Sequence, residues 1–189
     1  YLYNAPTPWD NSLTTAMVHN TVTVDGNDQF TRAGRFLYLD WANAYRKSPM
    51  VEDPAILQCV SGRYRGRGYR HTRTVSVSDE ERWLVEDEIL PLRLFWQKKP
   101  LNFRLHWLLP DWKWEILNGE SKFGIRLQSP HGWVTLGIDP ESRTRNTEYR
   151  FSLVRAGELL HGSCAQDPTR GWTSPSYGIK VPALSIAIE

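Results

Sequence analysis

The sequence predicts an all-β protein folded as an antiparallel β-sandwich. Two observations carry this. Short runs rich in β-branched and aromatic residues recur along the chain, and turn residues stand between most of them: Asp25-Gly26, Pro110-Asp111, Asn118-Gly119, Pro130-His131-Gly132 and Asp139-Pro140. Helical apolar periodicity nowhere lasts more than about two turns, and Gly157 to His161 is the nearest case. The chain has 189 residues, enough for one domain with its own core, so residues 1–189 are expected to form a single domain.

Residues 1–17 are turn-rich (Pro6, Pro8, Asn11) and carry the anchoring aromatics Tyr1, Tyr3 and Trp9. Val18 to Val24 reads as a short strand, with Val18, Val22 and Val24 on one face and His19, Thr21 and Thr23 on the other. It ends at Asp25-Gly26, a pair suited to the two positive φ angles of a I′ turn. Arg35 to Tyr45 reads as one longer strand covered on both faces, with Asp40 in its middle. An acid buried there must be paired, hydrogen-bonded or bound to a cation. Pro49 to Pro54 reads as a loop, and Ile56 to Ser61 and Arg70 to Ser78 as strands. On the latter, His71 and Arg73 share a face with Val75 and Val77, as in a strand running from a core into a groove. Asp79-Glu80-Glu81 makes a turn into Trp83 to Leu90. Phe103 to Leu109, Trp112 to Leu117, Gly124 to Gln128, Trp133 to Ile138 and Tyr149 to Val154 follow as strands, and Ile179 to Ile188 as a closing strand.

The net charge is only +2, but Arg63 to Arg73 (RYRGRGYRHTR) holds five arginines and no acid. Such a cluster suits an anionic polymer. No helix-turn-helix, zinc-finger or RNP pattern accompanies it, so nucleic acid is not the expected partner, whereas an acidic polysaccharide fits the charge. Nine Trp, eight Tyr and six Phe permit sugar stacking and equally fill a sandwich core. Cys59 and Cys164 leave the redox compartment open. No stretch is long and apolar enough to span a membrane. The chain opens on Tyr-Leu-Tyr-Asn with neither an initiating methionine nor a signal peptide, and is read as a domain excised from a longer protein.

A histidine on a strand's polar face beside a tight turn is accessible and oriented, which suits proton transfer; His19 reads equally as a surface histidine until its context is weighed. Arg73 offers a guanidinium fork for a carboxylate or sulfate, and Gln29, just past the turn, is in reach of a ligand. Glu86, Asp87 and Glu88 are the densest acids in a strand, but nothing marks two of them as the unequal pair that glycoside hydrolysis needs. His106, His131 and His161 lack ligand-like neighbours and read as structural or exposed.

Four passages, in this order, resemble the C-terminal β-sheet domain of heparinase II/III-like, alginate lyase-like polysaccharide lyases: PWDNSLTTAMVHNTVTVDGNDQ, GYRHTRTV, RLHWLLPD and RGWTSPSYGIKVPAL. They span most of the chain. The resemblance implies a two-layered β-sandwich packed on a preceding α/α toroid, with acidic polysaccharide in the groove between them. It implies β-elimination on a uronic acid, with His19 as the catalytic histidine; Asn20, next to it, joins Arg73 and Gln29 as a substrate-binding candidate. It places His71 on a metal-ligand histidine and Asp40 near a ligand aspartate. Where metal-binding members carry a second histidine, this chain has Thr21. His71 and Asp40 alone make a thin site for Zn²⁺ or Ca²⁺, and they read alternatively as a His–Asp pair that orients the groove. The tyrosine acid/base and the carboxylate-neutralising residue belong to the toroid, so the chain by itself is expected to be nearly inert. A periplasmic or extracellular location follows from the resemblance. The reading from a different class is a non-catalytic sandwich that binds acidic glycan or packs on a partner domain.

Overall fold

The computed structural model describes residues 2, 5–34, 36–41, 43–47, 56–64, 68–77, 82–92, 102–117, 122–141 and 148–189. The expected loop Pro49–Pro54, the turns at Asp79–Glu81 and Asn118-Gly119, and part of the basic segment lie outside them. The described residues form β-strands joined by turns and two short 3-10 turns, with no α-helix among them. In chain order the strands are β1 (Thr21–Val24), β2 (Thr31–Arg32), β3 (Tyr38–Leu39), β4 (Asn43–Lys47), β5 (Ile56–Tyr64), β6 (Tyr69–Val77), β7 (Trp83–Pro91) and β8 (Phe103–Leu109). There follow β9 (Trp114–Leu117), β10 (Phe123–Ser129), β11 (Gly132–Ile138), β12 (Phe151–Arg155), β13 (Glu158–Gly162), β14 (Trp172–Ser176), β15 (Ile179–Pro182) and β16 (Leu184–Ile188). Their sheets run β1-β8-β16-β12-β13, β11-β10-β9, β14-β15, β2-β3 and β4-β5-β6-β7. The all-β antiparallel class expected from the sequence is the one observed.

The chain divides into two compact units, Tyr1–Thr21 with Arg104–Glu189, and Val22–Phe103. In the first, β16 is the central element. Its five residues are all buried, because β8 and β12 flank it and both faces are covered. Leu184, Ile186 and Ile188 point to one face and meet Phe151 and Leu153 of β12 and Ile125 and Leu127 of β10, so apolar side chains of two sheets share one core. Strand alternation sends Ser185 and Ala187 to the opposite face, where Ser152 of β12 and His106 of β8 are also buried. One face of this sheet is therefore apolar, and the other carries the buried polar side chains. In the second unit, β4 to β7 form a continuous antiparallel meander, with β6 and β7 paired along all nine residues.

Some element boundaries differ from those expected. Ala16–Val18 forms a 3-10 turn, so His19 lies before β1 rather than on it, and Val22, Thr23 and Val24 are all buried. Arg35–Tyr45 is not one strand. Asp40 has φ +56°, a left-handed conformation that ends β3 before β4 begins. Nor is the segment covered on both faces: Phe36 is 75% and Trp41 78% exposed. Gly157 to His161, the nearest case of helical periodicity, falls in the edge strand Glu158–Gly162. Ile179–Ile188 is two strands that separate at Ala183, because β15 pairs with β14 while β16 joins the main sheet. The I′ turn is as expected, with φ +51° at Asp25 and +64° at Gly26, and the Asn27 amide donates back to the Val24 carbonyl.

Ile186 is fully buried at the centre of the apolar face. Ile186→Ala is expected to lower stability by about 2–5 kcal/mol in denaturant titrations, and the exposed Phe36→Ala by less than about 0.5 kcal/mol.

Candidate active site

His19 is exposed and sits at the end of the 3-10 turn that precedes β1. Its ring Nε2 is 3.1 Å from the Leu13 carbonyl oxygen. A carbonyl can only accept, so Nε2 carries the proton in this contact, and in the neutral ring Nδ1 carries the lone pair. The segment around it is tied to β8 at two points. The Leu108 amide donates to Asn20 Oδ1 at 2.7 Å. His106 Nδ1 lies 3.0 Å from the His19 carbonyl oxygen, which also accepts from the Thr21 amide at 2.8 Å.

His106 is 1% exposed and is the one buried residue of β8. Its second nitrogen, Nε2, meets Ser185 Oγ at 2.7 Å. Burial away from water, joined by the positive charges of Arg170 and Arg104, outweighs the hydrogen bond to His19 and pushes the imidazole down to about 3. His106 is therefore neutral at neutral pH. Next to it, Arg170 is 1% exposed and donates to Ser185 Oγ (3.1 Å), Ser152 Oγ (3.0 Å) and the Ser185 carbonyl (3.4 Å). Burial and the nearby Arg104 lower its guanidinium to about 10, so it stays charged.

A second polar cluster lies in the other unit. Asp87 of β7 sits across from Arg73 of β6 in the ladder. Its Oδ1 accepts from His71 Nε2 at 2.6 Å and from Arg73 Nε at 2.7 Å, and its Oδ2 from Arg73 Nη2 at 2.8 Å. Burial by itself would raise the Asp87 carboxyl, but the hydrogen bonds and charges of His71 and Arg73 together hold it below its ordinary value of 3.8.

The whole chain, residues 1–189, matches the family described as Heparinase II/III-like, C-terminal.

The chain belongs to that family.

Neither the comparison with curated proteins nor the comparison with solved structures gave a match. The family is one of C-terminal domains of larger proteins acting on polysaccharide. No helix among the described residues is long and apolar enough to cross a membrane.

In this heparinase II/III-like domain, His71 and Arg73 are brought together, and the carboxylate between them is Asp87. Asp40 is exposed and accepts from Thr31 Oγ1 at 2.8 Å. Gln29 is half-buried, and its amide donates to Asp28 Oδ1. His19 and Asn20 stand together in the first unit, apart in sequence from the His71 cluster of the second. Among the described residues no three His, Cys, Asp or Glu side chains are grouped to hold a metal ion. His71 Nε2 is engaged by Asp87 and Asp40 Oδ2 by Thr31 Oγ1. Cys164 is a free thiol. His106, Ser185, Arg170 and Asp87 were not singled out as site residues in the sequence. Asp87 had a visible signal: antiparallel pairing of the strand carrying Arg73 with the next strand puts it opposite Arg73.

His106 sets an acid limit on stability. Between the ordinary value of 6.5 and about 3, the unfolded chain binds a proton that the folded chain refuses, so stability falls as pH drops through that range. The slope is expected to approach 1.4 kcal/mol per unit, about the most one group gives. His106→Gln does not titrate and should flatten the slope in denaturant midpoints taken across that range. Asp87 works with the same sign lower down: its depressed carboxyl adds stability above 3.8 that is lost as pH falls through its folded value. Asp87→Asn strands His71 and Arg73 and is expected to lower stability at neutral pH by about 2–3 kcal/mol, a gap that narrows in acid.

Proposed function

We propose that this chain is the sheet domain of a polysaccharide lyase that cleaves uronic-acid polymers by β-elimination, with His19 as the base. The observation that carries the reading is the tether of His19: its Nε2–H is held by the Leu13 carbonyl, which leaves the Nδ1 lone pair of an exposed ring for a substrate proton. In this mechanism the substrate carboxylate is neutralised, so the C5 proton becomes acidic enough for an imidazole to remove. Nδ1 takes that proton, the C5–H electrons form the C4–C5 double bond, and the C4–O4 bond breaks. The departing oxygen takes a proton from an acid, a role we assign to a tyrosine of a preceding α/α toroid domain. Family membership and the basic character of the chain (pI about 8.6) support an acidic polysaccharide as substrate.

Asn20 borders the base. Its Oδ1 receives the Leu108 amide, which holds it beside the ring, and we assign it to substrate binding. Arg73 and Gln29 are assigned to substrate binding, with the Arg73 fork already braced by Asp87. A divalent ion, Zn²⁺ or Ca²⁺, on His71 and Asp40 would act on structure, and no step here depends on it. Location in the periplasm or outside the cell accompanies this reading, because such polymers are too large to cross a membrane unaided.

The test uses the full-length natural protein and a panel of uronate polymers, following the ultraviolet absorbance of the unsaturated product. A rising signal that His19→Ala reduces by about 10²–10⁴-fold is expected. A flat trace across the panel, with polymer binding intact, would instead make the chain a glycan-binding module.

A further inference from the structure

The polar face of the main sheet in the first unit holds a chain of hydrogen bonds whose direction is fixed at both ends. At one end, a carbonyl oxygen accepts and never donates, so His106 Nδ1 must carry the proton it shares with the His19 carbonyl. His106 is kept neutral by burial, so its Nε2 has no proton and must accept. The group beside it, Ser185 Oγ at 2.7 Å, therefore donates its hydroxyl proton to Nε2. At the other end, a guanidinium donates and never accepts. Arg170 Nε thus points its N–H at the lone pair that Ser185 Oγ has left, at 3.1 Å. The order is Arg170 to Ser185 to His106 to the His19 carbonyl, and every proton in it has one place to be.

The fold also fixes the origin of this chain. Arg170 precedes Gly171, which has φ +73° and approaches Ala156 so closely that a Cβ would lie 2.7 Å from its nitrogen. The Gly171 carbonyl accepts from the Ala156 and Ala183 amides, both at 2.9 Å, and the Arg170 carbonyl from the Gly157 amide at 2.8 Å. The main chain is pinned at Arg170 and Gly171, and the Arg170 side chain is committed to Ser185 and Ser152.

We propose that Arg170, Ser185 and His106 are positioning residues: a one-way hydrogen-bond relay that fixes the tautomer of His106 and, through the His19 carbonyl, the pose of the His19 ring. This rests on the reading of His19 as the base. No proton moves along the relay; it holds the main chain of His19 while the ring acts. A wrong His106 tautomer would set two acceptors against each other, Nδ1 against the His19 carbonyl. The backbone that carries His19 would then be released from β8, and small displacements of a base are costly to rate.

The experiment uses the full-length protein with ¹⁵N-labelled histidine and the variants Ser185→Ala, Ser185→Thr and His19→Ala. In the unmodified protein, NMR should show His106 with its proton on Nδ1. Ser185→Ala should mix the tautomers and lower kcat about tenfold, with KM changed less than about twofold. Ser185→Thr keeps the hydroxyl and should restore a single tautomer and most of kcat. A His106 proton on Nε2 in the unmodified protein overturns the relay even if Ser185→Ala fails to fold. So does a Ser185→Ala protein that keeps both kcat and the single tautomer, or that loses kcat and is not rescued by Ser185→Thr. Elimination that survives His19→Ala overturns the base reading instead, and the NMR result separates that failure from a failure of the relay.

Discussion

A buried imidazole has two nitrogens to satisfy, and at His106, which is 1% exposed, groups of the protein do it. One nitrogen must find a donor and the other an acceptor, because the neutral ring offers one of each. The fold supplies Ser185 from β16 and the His19 carbonyl from the segment before β1. That requirement links the centre of the main sheet to the segment carrying the candidate base. Ser185 faces His106 only because Leu184 and Ile186 face the apolar core, one residue to either side. A shift of register by one residue would put the serine into that core and a large aliphatic chain against the imidazole. The placement of His19 thus depends on apolar packing on the far side of the sheet.

Most strands, the turn at Asp25-Gly26 and the antiparallel class were legible because they are local. Alternation and turn chemistry report on a few neighbouring residues, and Asp25-Gly26 needs only its own φ angles to make its turn. The break at Asp40 was hidden because aspartate tolerates a left-handed conformation without advertising it, whereas a glycine would have marked the spot. The split of Ile179–Ile188 was hidden because both halves are good strands; only their different partners separate them. For the candidate site, His19 and the pairing of His71 with Arg73 lay in the text, since each is carried on one short stretch. Arg170 and Ser185 did not, because each has meaning only against residues far away in sequence: His106 is 79 residues from Ser185 and 87 from His19.

The two polar clusters are built on opposite electrostatic principles. His71, Asp87 and Arg73 surround a carboxylate with donors, so charge meets charge and the group remains partly open to solvent. Breaking it leaves charges stranded, and keeping it answers mainly to the stability of β6 against β7.

The relay is different. Among the described residues, Arg170's hydrogen bonds go to hydroxyl and carbonyl oxygens rather than to a carboxylate, yet it stays ionised at neutral pH despite its burial. For stability alone this is a poor choice, since a buried charge without a counter-charge in contact is expensive and a well-packed apolar side chain of similar volume is usually no worse. A cation that can only donate has one property that an apolar residue lacks. It removes the choice from Ser185, whose hydroxyl could otherwise rotate and present either a proton or a lone pair to His106. Specifying that one rotor specifies the imidazole, and the imidazole specifies the carbonyl of His19. The desolvation of Arg170 makes sense as the cost of direction, at the one place in the sheet where direction reaches an exposed ring.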